Sequence, residues 1–214
     1  MFRRVSLLMA TAMVVCLAAA THGQVVSNAS GLKSALDAAT GGEVIELMPG
    51  DYGNVDLRDY QFDAPVTVKS QDPAQKATFS RMIVRNARNL TLDGLHFFKG
   101  ATVPDNSYYA LYDMYASENV TIQHSLFEGA TIDSGDQAGY GSGQGIKARD
   151  GSSNFVLYRN EFTNLGKAVT SGLLEGAHIH QNYFHNYRSD AIFIAGQDIV
   201  IEDGKMYIPR LQDV

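Results

Sequence analysis

The chain of 214 residues has no tryptophan, five prolines and a single cysteine. Because a single cysteine has no partner within the chain, no intramolecular disulfide can cross-link the fold. This cysteine, Cys16, lies within the apolar run of residues 5–20. Stability must therefore come from the burial of apolar side chains. Tyrosine and phenylalanine remain as the large rings that could stack on a ligand.

The amino terminus has the layout of a secretory signal peptide. Arg3 and Arg4 precede the apolar run, and Ala18–Ala20 or Gly23 offers a small residue for cleavage. The alternative, a retained membrane anchor, would need a longer apolar run. We expect residues 1–23 to be removed, residues 24–214 to be secreted or periplasmic, and the mature protein to be free of the membrane.

Positive charge is scarce in the mature chain. Without Arg3 and Arg4, 15 basic residues remain against 23 acidic residues, a net charge of −8. Nucleic acid is a poor partner for such a surface, since phosphate binding needs clustered lysine and arginine. An anionic polysaccharide is a candidate partner only where a local basic patch overrides this average.

Five segments of the chain align without gaps: Asn89–Phe97, Asn119–Phe127, Asn154–Phe162, Gly176–Phe184 and Asp198–Met206. Their last residues are 30, 35, 22 and 22 positions apart. Each segment alternates apolar and polar residues as strands do. A period of 22 residues suits one coil of a solenoid and is too short for a propeller blade. The pattern predicts an all-β solenoid in which Phe162 lies over Phe184 inside.

Two further patterns predict how the solenoid is closed and held in register. Asn28 or Ser30 can cap a helix with apolar residues at i, i+3, i+4 and i+7, and this helix would cover the first coil. Asn160 and Asn182 occupy the same corner of successive segments, where their amides could form a ladder. The chain stops at Val214 in the middle of a coil, so we expect it to be truncated there.

The order of strand, turn, strand, asparagine corner, strand and loop resembles the right-handed parallel β-helix of the pectate lyase superfamily. The opening, Leu32–Leu36 through Gly42–Tyr52 with Ala64–Val68, is similar to the chondroitinase B and alginate lyase family. The resemblance implies a right-handed parallel β-helix with an N-terminal helical cap. It also implies a polysaccharide lyase that acts by β-elimination on a uronate-containing polymer.

In such lyases the active face is the sheet that precedes the short turn, and here that sheet would carry Lys147 and Arg149. Strand alternation places both side chains outward on one rung. β-Elimination needs a cation to neutralise the carboxylate and a base to remove the α-proton. Gly145–Lys147 resembles the rung of the family's arginine, whereas Ala110–Tyr115 lacks the lysine that the family keeps. The alternative is that these cations are solvated edge charges.

The candidate catalytic residues are Lys147, Arg149, His185, Arg188 and Asp190. One of the first two would neutralise the substrate carboxylate. His185 or Arg188 would be the base or the leaving-group acid, and Asp190 would orient one of them.

Aromatic rings and a long loop complete the predicted cleft. Tyr112 and Tyr140 are the candidate substrate-binding residues, although the register leaves open whether Tyr112 or Asp113 faces the cleft. Tyr140 belongs to the loop Glu128–Gln144, which would wall one side. No cofactor is expected, with calcium at Asp133–Asp136 as the alternative.

A second constellation lies on the strands of the nine-residue segments. His178 and His180 flank the inward Ile179, and Tyr158 and Glu202 hold the place of His180 in neighbouring segments. The column could serve acid–base chemistry, the two histidines could bind a metal, or the residues could simply line a solvated face.

The sequence therefore leaves two classes of function open. The first is a polysaccharide lyase or a relative such as a uronate epimerase or glycoside hydrolase, which secretion and the rung of Lys147 and Arg149 favour. The second is a non-catalytic β-helix that serves as a scaffold, adhesin or carbohydrate-binding accessory protein. The acidic surface and the missing rung lysine favour this second class.

Overall fold

The computed structural model describes residues 23–103, 109–149 and 151–207. The predicted signal peptide and the predicted truncation at Val214 lie outside the described residues. Within these ranges the chain forms one helix, α1 (Ala29–Ala38), and 20 strands. The strands, in chain order, are β1 (Gln24–Val26), β2 (Val44–Leu47), β3 (Asp51–Arg58), β4 (Gln61–Ser70), β5 (Thr78–Arg85), β6 (Arg88–Asp93), β7 (His96–Phe98), β8 (Thr102–Val103), β9 (Ala110–Tyr115), β10 (Glu118–Gln123), β11 (Leu126–Glu128), β12 (Ala130–Ile132), β13 (Gly141–Ser142), β14 (Gln144–Ala148), β15 (Ser152–Tyr158), β16 (Glu161–Thr163), β17 (Lys167–His180), β18 (Tyr183–His185), β19 (Ile192–Glu202) and β20 (Lys205–Tyr207).

Each strand of the coils pairs in parallel with the equivalent strand one coil away. Sheet 1 contains β1, β2, β4, β6, β10, β15 and the second halves of β17 and β19. Sheet 2 contains the short strands β7, β11, β16, β18 and β20 and the starts of β3 and β5. Sheet 3 contains the rest of β3 and β5, then β9, β14 and the first halves of β17 and β19. This pairing confirms the predicted all-β parallel β-helix.

Stacked phenylalanines form the centre of the core, as the repeat predicts. Phe97, Phe127, Phe162 and Phe184 come from successive strands of sheet 2, and neighbouring ring centroids lie 4.5, 4.8 and 4.8 Å apart. All four side chains are buried. Parallel strands about 4.8 Å apart place identical inward positions directly over one another, so the rings stack face to face.

The asparagine ladder predicted for the corner between sheets 1 and 2 is present. Asn160 and Asn182 are both buried, and the Asn160 Nδ2 donates to the Asn182 Oδ1 at 3.1 Å. Each amide also bonds to the main chain of the preceding coil, Asn160 to Ile122 and Asn182 to Leu157. The ladder thus satisfies buried polar groups at the place where the strand ends.

The predicted cap is also confirmed. Asn28 is the N-cap of α1, and its Oδ1 accepts a hydrogen bond from the Gly31 backbone N–H at 2.8 Å. The helix buries Leu32, Ala35 and Leu36 against the first coil. An amphipathic helix in this place covers apolar side chains that a first coil would otherwise expose.

A small sheet stands out from the loops between sheets 2 and 3. It consists of β8, β12 and β13, and we call it the wall. Tyr109 joins the wall to sheet 3, because its hydroxyl donates to the Ser142 carbonyl at 2.9 Å and accepts from the Ala130 N–H at 3.0 Å. Gly143 has a φ of +77°, and a Cβ there would lie 2.3 Å from the Tyr109 ring, so glycine is required beside this anchor.

Candidate functional site

Charge is divided unequally between the outer faces of the solenoid. The strands of sheet 1 carry nine charged residues, seven acidic and two basic: Glu46, Asp63, Asp93, Glu118, Glu175, Asp198, Glu202, Lys69 and Arg88. On or directly after the strands of sheet 3 lie three acidic residues, Asp56, Asp59 and Asp113, and six basic ones: Arg58, Arg81, Arg85, Lys147, Arg149 and Lys167. Sheet 3 is therefore the basic face of an acidic protein, and it is the face that an anionic ligand would approach.

A shallow depression of about 600 Å³ lies on the outer face of sheet 3, and we call it the basic groove. Its lining residues come from β9, β14, β17 and β19 and from the position directly after β14: Tyr115, Gln144, Lys147, Arg149, Lys167, Thr170, Ser171, Gly172 and Phe193. Three cations and two aromatic rings thus share one open surface. Cations bind carboxylates and rings stack on sugars, so the groove has the parts of a site for an acidic carbohydrate.

Arg149 is held in the groove by a buried carboxylate. Asp113 is 2% exposed and accepts from the Arg149 Nε at 2.9 Å and from the Arg149 Nη2 at 3.1 Å. A second arginine, Arg81, donates to the same carboxylate at 3.0 Å. The Arg149 guanidinium also lies 4.5 Å from the ring centroid of Tyr115. A bidentate bond and a cation–π contact fix the plane of this guanidinium before any ligand arrives.

Lys147 lies in β14, two residues before Arg149, and its side chain points outward into the groove. The register sets it opposite Asp113 in β9 and opposite Thr170 in β17. Residues two apart along one strand are roughly 6.6 Å apart, so Lys147 stands within reach of a sugar that Arg149 holds. The prediction that both cations point outward on one rung is consistent with this arrangement.

Lys167 forms the third cationic side of the groove. Its Nζ lies 2.9 Å from the Asp190 Oδ2 and 5.3 Å from the ring centroid of Phe193. The hydrogen bond from Lys167 lowers the pKa of the Asp190 carboxyl. Asp190 is thus placed at the edge of the groove, where it orients Lys167.

Two of the predicted site residues do not belong to this face. Tyr112 is completely buried and packs edge-on against Phe97, so its side chain cannot bind a substrate, and Asp113 takes the outward position. His185 lies on sheet 2, where it bonds to Glu161 at 2.9 Å. The prediction that His185 joins Lys147 in one site is therefore wrong, because the chain turns a corner between β18 and β19.

The remaining predicted residues lie at the wall. Arg188 donates to Gln137 of the wall loop and packs beside Gly166. Tyr140 is 36% exposed and its carbonyl accepts from the Ile132 N–H within the wall. Among the described residues no group of three or more His, Cys, Asp or Glu side chains could hold a metal ion, and calcium at Asp133–Asp136 stays a prediction.

The column predicted on sheet 1 is present but lies on the acidic face. The register aligns Tyr158, His180 and Glu202 in successive strands. The rings of Tyr158 and His180 stack at 4.6 Å, those of His178 and His180 at 4.0 Å, and the His178 Nε2 bonds to Glu202 at 2.7 Å. The column is accounted for by stacking and hydrogen bonds within the sheet.

This histidine stack makes stability sensitive to pH. The pKa of His180 is lowered, first by burial and then by the charge of His178. The unfolded chain, with an ordinary histidine pKa of about 6.5, binds the proton more tightly, so this contribution to stability is present above that pH and is lost as the pH falls below it. We expect His180→Gln to reduce the loss of thermal midpoint between neutral and mildly acidic pH. Parallel midpoint curves for wild type and variant would contradict this.

Sequence reasoning missed Lys167 and left the direction of Asp113 open. Lys167 opens β17 directly opposite Gln144, the first residue of β14. The sequence does hold a signal for Lys167. Once the register of the coils is known, Lys167 can be recognised as an outward lysine one coil after the strand that carries Lys147. Asp113 lies in a strand whose neighbouring residues Leu111 and Tyr112 are both buried, so alternation could not decide its direction.

At least one solved structure, but no known sequence family, is similar to this chain. A solved structure, an alginate lyase from Paenibacillus sp. str. FPU-7, is similar over 85% of this chain and 99% of that chain, with a TM-score of 0.30 and 13% sequence identity. The parallel β-helix is defined by the strand pairing. No protein-family model and no curated protein matches the sequence. None of the described residues belongs to a helix long and apolar enough to cross a membrane.

Proposed function

We propose that the protein binds a uronate-containing polysaccharide in the basic groove and cleaves it by β-elimination. The observation that carries the proposal is the meeting of Lys147, Arg149 and Lys167 with two aromatic rings in one groove of an otherwise acidic protein. A sugar without charge would not need this concentration of cations. A flexible anionic polymer also suits an open groove, because it can enter from the side.

The proposed chemistry assigns Arg149 to the substrate carboxylate. An arginine stays protonated and presents its donors in a fixed plane, and Asp113 holds this one in place. Neutralising the carboxylate makes the proton on the adjacent ring carbon more acidic. Lys147, next to Arg149 on the outer face, would take that proton, since a lysine can act as a base once it is neutral.

The electrons of the broken C–H bond then form a carbon–carbon double bond within the sugar ring. The glycosidic bond on the next carbon breaks, and its oxygen leaves with a proton from water or from the Tyr115 hydroxyl, which borders the groove. The products are an unsaturated uronate and a shortened chain. No redox partner is needed, because the elimination balances by itself.

A second candidate function, binding without cleavage, is favoured by one observation. Arg149 and Lys167 are already engaged by Asp113 and Asp190, and among the described residues that line the groove there is no histidine or carboxylate to serve as a base. Such a site could hold an anionic polymer without reacting with it.

One experiment separates these functions. The protein is mixed with alginate, pectate or chondroitin, the ultraviolet absorbance of unsaturated uronate is followed, and binding is measured in parallel by calorimetry. Rising absorbance with any one polymer supports the lyase. A flat trace with binding retained selects the non-catalytic function. Absence of both signals with all three polymers overturns both functions.

A further inference from the structure

We infer that the polysaccharide site continues beyond the basic groove into a second groove on the same face, where Arg81 and Lys99 hold another acidic sugar of the same chain. This inference rests on the proposed function. The second groove, which we call the distal groove, has a volume of about 460 Å³. It is lined by residues of β3, β5 and β9 and of the adjoining loop: Asn54, Val55, Asp56, Ser80, Arg81, Ile83, Lys99, Tyr109 and Ala110.

The distal groove repeats the chemistry of the basic groove. The Lys99 Nζ lies 5.7 Å from the ring centroid of Tyr109, much as Lys167 lies beside Phe193. The Arg81 side chain is 43% exposed, so part of its guanidinium is open to a ligand, although Nη2 donates to Asp113 and Nε is buried. Asp56, the acidic residue of the lining, is bound by Arg58 at 2.6 Å and approached by Arg85 at 3.7 Å. Its charge is offset from outside the groove.

A buried carboxylate connects the two grooves. Asp113 binds Arg81 of the distal groove and Arg149 of the basic groove. These two arginines are 32 and 36 positions from Asp113 in the sequence. The strands that carry Arg81 and Lys167 are three rungs apart, about 14 Å at the usual spacing of parallel strands. That span exceeds one sugar ring, so a single chain lying along the solenoid axis would meet cations in both grooves.

The far end of this path is rigid. The Tyr109 hydroxyl is fixed by Ala130 and Ser142 of the wall, and its ring lies against Gly143. A ring that is already ordered loses little freedom when a sugar stacks on it. The wall therefore borders the outer face of sheet 3 and also holds the Tyr109 ring in place at the distal groove.

The test compares oligosaccharide lengths in a variant that spares the basic groove. Lys99 is exposed and takes no part in the proposed chemistry, so Lys99→Ala is measured against Lys205→Ala, which removes the same charge from sheet 2. Dissociation constants are obtained by calorimetry for disaccharides and longer oligosaccharides of alginate, pectate and chondroitin. We expect Lys99→Ala to weaken binding of the longer oligosaccharides about fivefold and to leave disaccharide binding unchanged.

The outcomes separate the two claims. An equal effect of Lys99→Ala on both lengths, no effect on either, or the same loss in Lys205→Ala overturns the distal groove while leaving the basic groove intact. Wild-type protein that binds no length of any polymer overturns the proposed function, and the distal groove with it.

Discussion

Lys147→Ala is expected to lower the turnover of whichever uronate polymer is cleaved by at least about 100-fold, the usual loss when a general base is removed. Lys147 points outward beside Arg149, so the substitution removes the proposed proton acceptor without opening the core. The initial rate of ultraviolet absorbance gives the loss of turnover. Binding of the polymer should weaken far less, because Arg149 and Lys167 remain.

The control for this prediction is Lys69→Ala on sheet 1, which removes an outward lysine paired with Glu46 at 3.0 Å. It should cleave at the wild-type rate. If Lys147→Ala keeps more than half of the wild-type rate while its thermal midpoint is unchanged, then Lys147 is not the base. A loss of activity matched by unfolding would show instead that the residue is structural.

Asn182→Ala is expected to lower the free energy of unfolding by about 2–5 kcal/mol, because it leaves several buried groups without partners. The Asn182 Oδ1 accepts from the Asn160 N–H at 2.9 Å, and its Nδ2 donates to the Leu157 carbonyl at 2.9 Å. Asn182 is 1% exposed, so water cannot replace these bonds. Chemical denaturation measures the loss, and activity per folded molecule should be preserved.

Gln123→Ala supplies the matched control for the ladder. Gln123 also carries a hydrogen-bonded amide, to Asp93 at 3.0 Å, but it lies on the outer face of sheet 1. Its loss should cost less than about 1 kcal/mol, since water can solvate the partner. Equal stability losses in the two variants would contradict the view that burial of the ladder gives it its weight.

The parts of the molecule that the sequence predicted well are those that repeat. The 22-residue offset placed Phe162 over Phe184 and Asn160 over Asn182, because parallel strands in register bring equivalent positions together. Alternation likewise predicted the inward residues of β6, β10 and β15. In these strands the alternation of apolar residues in the sequence agrees with the parallel stacking of the coils.

The grouping of the candidate site residues was predicted only in part, because it depends on where each coil turns its corners. The loops between sheets 2 and 3 differ in length from coil to coil, so proximity in sequence did not show that His185 stays on sheet 2. The direction of Asp113 depended on Arg81 and Arg149, which come from other coils. The outward direction of Lys147 could be predicted because a clear alternation surrounds it.

The most direct measurement is a chemical-shift map of the protein while an oligosaccharide of alginate, pectate or chondroitin is added. We predict shifts at the side chains of Lys147, Arg149 and Lys167 and at the backbone of β14 and the start of β17, with the histidines of sheet 1 unchanged. Shifts confined to His178 and His180, or no shift with any of the three sugars, would contradict it.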